Sequence, residues 1–285
     1  MSLRTLLAAD TVTHLPGVYD PPTAALAVRA GHHAAHLSGA ACAALDLGLP
    51  DLGYVHGTHI AARAAAIVPH LRKRPLLADA DTGYGDALQA VWTARRYAAA
   101  GVSGLHLEDQ VQPKRCGHLA GKELIGVVAA ARKIRAVAEA GTGLVIVART
   151  DAYSEHGLAE AIERAVAYTA AGADAVFLEG VDDPADLARA HEATGAPLVV
   201  NRSEAAGPRP VAGDAELAAA GVRLILHPVA PLLAALAAAR DVYESLAATG
   251  RVTRERLPWR DFTDLVGQDE ALALDARYAT EAGRS

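Results

Sequence analysis

Aromatic residues are scarce in this chain: two Phe, two Trp and eight Tyr make up 4% of 285 residues. A core built on large rings is therefore excluded, and abundant alanine points instead to many small-residue helices. Cysteine is nearly missing as well. Cys42 and Cys116 cannot make a disulfide framework, which fits a reduced, cytoplasmic setting. No apolar run is long enough to cross a bilayer. The opening residues, Met1 to Leu7, are too short a run and too soon interrupted by Asp10 to read as a signal peptide. Neither sign of charge is concentrated: 27 Lys and Arg oppose 33 Asp and Glu, for a net charge of -6. That balance argues against a nucleic-acid or membrane partner and against an acidic solvating tail. Internal repeats and low-complexity linkers are absent. With 52% hydrophobic residues the chain can bury one large core, and a single domain over residues 1–285 is expected.

Short apolar runs alternate with longer helical patterns. The expected strands are Leu15–Tyr19, Ala34–Ser38, Leu76–Asp79, Gly104–Glu108, Leu144–Arg149, Ala175–Glu179, Leu198–Asn201 and Arg223–His227. They are brief and rich in Val, Leu and Ile, as strands buried on both faces are. Helical stretches such as Ala87–Ala100, Leu158–Ala171 and Pro184–Ala193 lie between them. Gly101, Gly172, Gly195 and Gly221 stand where helix-ending glycines belong. Eight strands alternating with helices give a parallel α/β fold. Eight is the number that closes a (β/α)8 TIM-type barrel, although counting alone also allows an open doubly wound sheet. Residues 232–285 read as one long Ala-rich helix, Leu232–Thr249, followed by a helical tail, with Leu272, Leu274 and Tyr278 available for packing.

Polar residues collect at the downstream ends of five of these strands: Asp79 and Asp81, Glu108, Arg149 and Asp151, Glu179, and Asn201. In parallel α/β folds that edge is where ligands bind, and a stray solvated charge explains one such placement better than five. Asp79 and Asp81, at i and i+2, would point the same way from a strand and address one hard cation, with Glu108 supplying a further oxygen. A polar loop cap is the alternative. Cys116 has Lys114 and Arg115 before it and His118 after it, in a loop bearing Pro113, Gly117 and Gly121. Nearby cations are expected to lower the thiol's pKa, and the glycines to let the loop close over a ligand. Cys42, set among alanines, reads as inert core. Ser38-Gly39 can aim backbone amides at an anionic oxygen. Arg149 suits bidentate binding of a carboxylate, with an ion pair to a neighbouring Glu as an equal alternative. Of the histidines, His36 and His227 stand at strand ends and are the better site candidates, whereas His32, His33, His56, His59 and His191 read as surface or packing residues.

Taken in order, several segments resemble the isocitrate lyase / phosphoenolpyruvate mutase superfamily, and within it the 2-methylisocitrate lyase branch and its close relatives. They are Pro16 to Asp20, Leu37-Ser38-Gly39, Leu47 to Gly53, Asp79 to Gly85, His106 to Gln110, Lys114 to His118, Ala148 to Asp151 and Ala171 to Asp174. The resemblance implies a (β/α)8 barrel whose eighth helix is swapped between subunits of a homotetramer, a dimer of dimers, so that residues 232–285 pack on a neighbour. It implies Mg2+, with Mn2+ as a substitute, held by Asp79 and Asp81 largely through water, with Glu108 and Asp51 around it. It assigns substrate contacts to His36, Ser38, Gly39, Ala40, Gly117, Arg149, Glu179, Asn201 and Ser203. It gives catalytic parts to Asp51, Glu108, Lys114, Cys116 and His118. The implied reaction splits a 2-hydroxy di- or tricarboxylic acid into a 2-oxoacid, pyruvate or glyoxylate, and a carboxylate, with Cys116 as general acid.

Three departures bear on the substrate. His36 stands where methylisocitrate lyases have a tyrosine before the Ser-Gly pair. Their Asn-Ile-Thr-Glu-Phe-Gly segment is here Asn201-Arg202-Ser203-Glu204-Ala205-Ala206. Leu233 replaces an arginine that binds a distal carboxylate. Losing that arginine weakens tricarboxylate recognition and favours a substituted malate. The alternatives are a phosphonomutase of the carboxyphosphoenolpyruvate type, which forms a P–C bond, and a non-catalytic relative that only binds an oxoacid.

Overall fold

The computed structural model describes residues 1–204, 207 and 211–282. Its eight strands are β1 (Thr13–Pro16), β2 (Ala35–Leu37), β3 (Leu76–Asp79), β4 (Gly104–Glu108), β5 (Val145–Thr150), β6 (Ala175–Leu178), β7 (Leu198–Asn201) and β8 (Val222–His227). All neighbours are parallel, in the order β1-β8-β7-β6-β5-β4-β3-β2. The two ends of that order meet. Gly17 bridges His36, and the Val18 N–H donates to the His36 carbonyl at 2.9 Å. The sheet is thus a barrel and not an open doubly wound sheet. Gly17 is required at the seam, because a Cβ there would lie 2.1 Å from the Pro228 carbonyl oxygen.

Side chains alternate across the strands. Leu15, Leu77, Val145, Val147, Phe177, Val199, Leu224 and Leu226 fill the barrel interior, and Leu3, Leu6 and Leu7 of the first helix join them. The opposite faces, including Ala78, Leu105, Ile146, Val176, Leu198 and Ile225, pack under the helices. Small residues suffice because short strands and Ala-rich helices approach closely, so few rings are needed.

Strands β3, β4 and β7 begin and end where the sequence places them. β1 instead stops at Pro16, because Asp20 turns the chain into the helix Pro21–Arg29 through a capping box with Thr23. β2 stops at Leu37, since Ser38 already starts the short helix Gly39–Cys42.

The chain divides into two compact units, Met1–Leu232 and Leu233–Ser285. The barrel is the first. The second takes in the helix Ala230–Thr249 from Leu233 onward, which ends at Gly250 with φ +66°, and the helices Trp259–Leu265 and Gln268–Ala282. This unit carries Leu236, Tyr243, Trp259, Leu272, Leu274 and Tyr278 exposed. Among the described residues no helix is long and apolar enough to cross a membrane.

Candidate active site

Asp79 is the last residue of β3, and the strand ends there. Asp81 has φ +42°, so the strand alternation expected to aim both carboxylates together does not reach it. The loop makes them converge instead: the Asp81 N–H donates to Asp79 Oδ1 at 3.0 Å. Gly39 backs onto both, and a Cβ on it would stand 2.9 Å from Asp79 Oδ2 and 3.4 Å from Asp81 Oδ1. The Gly39 N–H, expected to face a substrate oxygen, donates to Asp79 Oδ2 at 3.1 Å. Its role in this structure is to orient that carboxylate. Ser38 is buried beside it and Ala40 is half-buried in the same turn.

Lys114 reaches this pair from the thiol loop. Its Nζ stands 2.9 Å from Asp81 Oδ1 and is hydrogen-bonded to Asp51. Glu108, at the end of β4, has Oε2 3.2 Å from an Arg149 nitrogen. Burial pushes the Asp81 carboxyl up to about 7, with Lys114 opposing the shift and Asp79 and Asp51 adding to it. Burial likewise holds Glu108 well above the ordinary range. Burial raises Asp79 too, but His106, Lys114 and Arg149 outweigh it and bring the carboxyl below its usual value. Asp81 Oδ1 and both Glu108 oxygens accept no aligned hydrogen bond, so their cation contacts are ion pairs alone. Buried oxygens short of hydrogen-bond donors are what a hard divalent cation satisfies. Among the described residues no group of three His, Cys, Asp or Glu side chains closes on one point. The all-carboxylate oxygens of Asp79, Asp81 and Glu108 are the donor type that a hard cation such as Mg2+ takes.

The other half of the site centres on Arg149, at the end of β5. Its Nε and one terminal nitrogen each donate to Asp151 at 2.9 Å, and Glu179 lies 3.6 Å away. The guanidinium, expected to grip a ligand carboxylate, thus has a bidentate partner within the chain. The Cys116 loop lies directly on this group. A Cβ on Gly117 would be 2.5 Å from an Arg149 nitrogen and 2.8 Å from Glu179 Cγ. His118 Nε2 is 3.8 Å from Glu179, and the Cys116 N–H donates to the Asp51 carbonyl at 3.1 Å. Asp51, Glu108, Lys114, Cys116, His118, Arg149 and Glu179 therefore surround one region with Asp79 and Asp81. A cleft of about 390 Å3, lined by Gly53, Tyr54, His56, Asp81, Tyr84 and Lys114 among others, opens beside it.

Cys116 corrects one expectation. Its pKa is raised, not lowered: burial dominates, while the His118 amide, Lys114 and Arg149 pull weakly the other way. Of the groups that flank it in sequence, Lys114 is spent on Asp51 and Asp81, while the His118 Nδ1 lies 3.9 Å from the sulfur. The thiol is consequently kept protonated. His36 corrects another. It is 2% exposed, with Nε2 2.9 Å from His106 Nε2, and its neighbour His106 has Nδ1 3.4 Å from Asp79 Oδ1. His36 stands behind the Asp79 carboxylate, with His106 between them. His227 pairs with His14 at 2.9 Å, and His14 with Asp214. Among the described residues that cluster makes no hydrogen bond or ion pair with the carboxylate or thiol groups. Asn201 closes β7 with a buried Oδ1 that accepts no hydrogen bond, and half-buried Ser203 follows in the loop. Ala205 and Ala206 lie outside the described residues.

Sequence reasoning missed the residues that brace the site. Asp109 accepts from Thr150 Oγ1 and Tyr168 OH at 2.7 Å each, and from Arg164 and the Asp151 N–H at 3.1 Å. Lys122 bonds the Gly117 carbonyl. Asp109 stands in the same short motif as Glu108, but its partners lie some 40 to 60 residues away and carry no local signal.

The family described as phosphoenolpyruvate phosphomutase matches residues 3–247. Among curated relatives, 2,3-dimethylmalate lyase of Eubacterium barkeri is 35% identical over 98% of this chain and 97% of its own. The 2-methylisocitrate lyase of Bacillus subtilis (strain 168) is 40% identical over 84% and 79% respectively. A crystal structure of 2,3-dimethylmalate lyase, described as a phosphoenolpyruvate mutase/isocitrate lyase superfamily member, superposes with TM-score 0.89 at 37% identity, covering 97% and 94% of the two chains. Oxaloacetate acetylhydrolase in complex with 3,3-difluorooxalacetate gives 0.88 at 34%, covering 98% and 96%. Phosphonopyruvate hydrolase in complex with oxalate and Mg2+ gives 0.82 at 26%, covering 98% and 100%.

Proposed function

The chain belongs to the phosphoenolpyruvate mutase/isocitrate lyase superfamily, and from that premise we propose that it is a cytoplasmic, Mg2+-dependent carbon–carbon lyase. Its substrate is a 2-hydroxy acid of the substituted-malate or methylisocitrate kind. The observation that carries this reading is the geometry of the Cys116 loop, which rests against Arg149 and Glu179 and is tied to Asp51 beside the Asp79–Asp81 pair. A thiol placed over an anion-binding group can act there as a general acid.

Cleaving the C2–C3 bond of a 2-hydroxy acid requires one proton to leave the hydroxyl and one to reach C3. The bonding pair moves onto C3 as C2 becomes a carbonyl. Cys116 donates its S–H proton to C3, and Asp51, beside the same loop, takes the hydroxyl proton. Both groups are reset when products leave, the thiolate gaining and the carboxyl losing a proton to water. Arg149 and Asn201 hold the oxoacid carboxylate, the Gly117 contact excludes water, and Glu179 orients His118. Mg2+, or Mn2+ in its place, held by Asp79 and Asp81 with Glu108 and Asp51 around it, would polarise the C2 oxygen.

Leu233, standing where methylisocitrate lyases have an arginine, favours a substituted malate over methylisocitrate, because the third carboxylate of the latter calls for a cation. The 2,3-dimethylmalate lyase relative, matched nearly end to end, supports the same choice. Residues 233–285, with their exposed Tyr, Trp and Leu, would pack on a neighbouring subunit in a dimer of dimers. Light scattering on the eluting protein measures that directly.

Release of pyruvate or glyoxylate from a panel of 2-hydroxy acids, followed through lactate dehydrogenase, tests the activity. Cys116→Ser and Cys116→Ala should lower kcat by about 10^2 to 10^4 while leaving the melting curve and Mg2+ binding intact. Near-normal cleavage by either variant would remove Cys116 from the mechanism. Phosphorus NMR with carboxyphosphoenolpyruvate-like substrates separates this reading from the phosphonomutase alternative, which would form a P–C bond.

A further inference from the structure

The far end of the Cys116 loop is fastened by a residue that the chemistry above leaves unused. The Lys122 side chain is 1% exposed. Its Nζ donates to the Gly117 carbonyl oxygen and stands 3.5 Å from Asp151 Oδ1. Asp151 is fully buried and receives both Arg149 donors at 2.9 Å. One carboxylate therefore anchors the guanidinium under the loop and the ammonium that holds the loop down. Gly117 is the point of contact, since its backbone lies too close to Arg149 and Glu179 for any side chain.

An ammonium is kept out of water only where paired acceptors compensate its lost hydration. A lysine in a flexible loop has the easy alternative of pointing into solvent. Lys122 forgoes it for one backbone carbonyl, and that carbonyl belongs to the residue after the thiol. The bond spans the loop, so breaking it frees Gly117, and with it Cys116, to lift off Arg149. We propose that Lys122 is a positioning residue: it clamps the loop shut through the Gly117 carbonyl, with Asp151 as its anchor, and so keeps the Cys116 thiol half-buried against the site. Its effect on turnover rests on the lyase reading of Cys116, whereas the clamp itself does not.

Alkylation of Cys116 tests the clamp without any substrate. Cys42 is fully buried, so iodoacetamide uptake by the folded protein reports Cys116 alone. A charge-assisted bond of this kind holds a closed state by about tenfold to a hundredfold, and Lys122→Met should speed alkylation by that factor at fixed pH. Lys122→Arg, which keeps donor and charge, should return the rate toward that of the unaltered protein. Where Lys122→Met gives no folded protein, Lys122→Gln keeps N–H donors without the charge and should speed alkylation severalfold. An alkylation rate within twofold of the unaltered protein, at an unchanged melting temperature, overturns the proposal. In turnover the Met variant should lose kcat about tenfold with Mg2+ affinity unchanged. If alkylation responds as stated while no variant, nor the parent, cleaves any hydroxy acid, the clamp stands and the lyase reading falls.

Discussion

Replacing Asp109 with alanine removes the acceptor on which four donors converge. Thr150 Oγ1 and Tyr168 OH bond it at 2.7 Å, and Arg164 and the Asp151 amide at 3.1 Å. The carboxylate is 1% exposed, so water cannot stand in for it without rearrangement. Removing one member of a buried ion pair costs about 3–5 kcal/mol, most of it from the charge left behind. Arg164 keeps Glu160 at 2.8 Å and the Ile125 carbonyl at 2.9 Å, which places the loss near the lower end. A loss of about 3 kcal/mol corresponds to a fall in Tm of about 6–12 °C for a chain of this size. Asp109→Asn keeps an acceptor oxygen and should lose about half as much. Differential scanning calorimetry of both variants reads the ordering. The Asp151 amide is also freed, so KM for the hydroxy acid should rise as Arg149 loses its brace. A melting temperature for Asp109→Ala within about 2 °C of the parent would refute the argument that this network carries the β4–β5 end of the barrel.

His36 is buried neutral, its pKa lowered to about 3 by burial first and by His106 second. The unfolded chain takes up a proton at this residue below about pH 6.5, while the folded one does not. Its contribution is therefore complete above that pH and lost as the pH falls, at about 1.4 kcal/mol per unit. Urea midpoints from pH 6.5 to 4 should fall less steeply in His36→Asn; parallel slopes would sink the assignment. Gly39→Ala places a methyl 2.9 Å from Asp79 Oδ2 and 3.4 Å from Asp81 Oδ1. Spreading those carboxylates should weaken Mg2+ binding about tenfold, or about 1.4 kcal/mol, by titration calorimetry, and an unchanged Kd would count against them as the ion's site.

Much of the fold was legible before any coordinates, because burying a parallel strand on both faces leaves a short apolar run that nothing else in an Ala-rich chain imitates. β3, β4 and β7 were delimited to the residue for that reason. The strand ends were misread where a capping residue intervened: Asp20 and Ser38 end their strands by starting helices. That Asp79, Glu108, Arg149 and Asn201 share one edge of the barrel was also legible, from their place along the strands.

What only the tertiary structure decided is which charge faces which. In sequence Cys116 sits among cations, and local proximity argues for a depressed pKa. In the fold Lys114 turns toward Asp51 and Asp81, the loop presses onto Arg149 and Glu179, and burial raises the thiol instead. His36 follows the same rule, reading as a pocket residue from its strand end and becoming an interior prop once β2 and β4 bring it against His106. Chain order sets which groups reach the active edge of a barrel. Solvent exclusion and pairing between distant strands and loops then set their charge, and neither quantity is carried by neighbouring residues in the sequence.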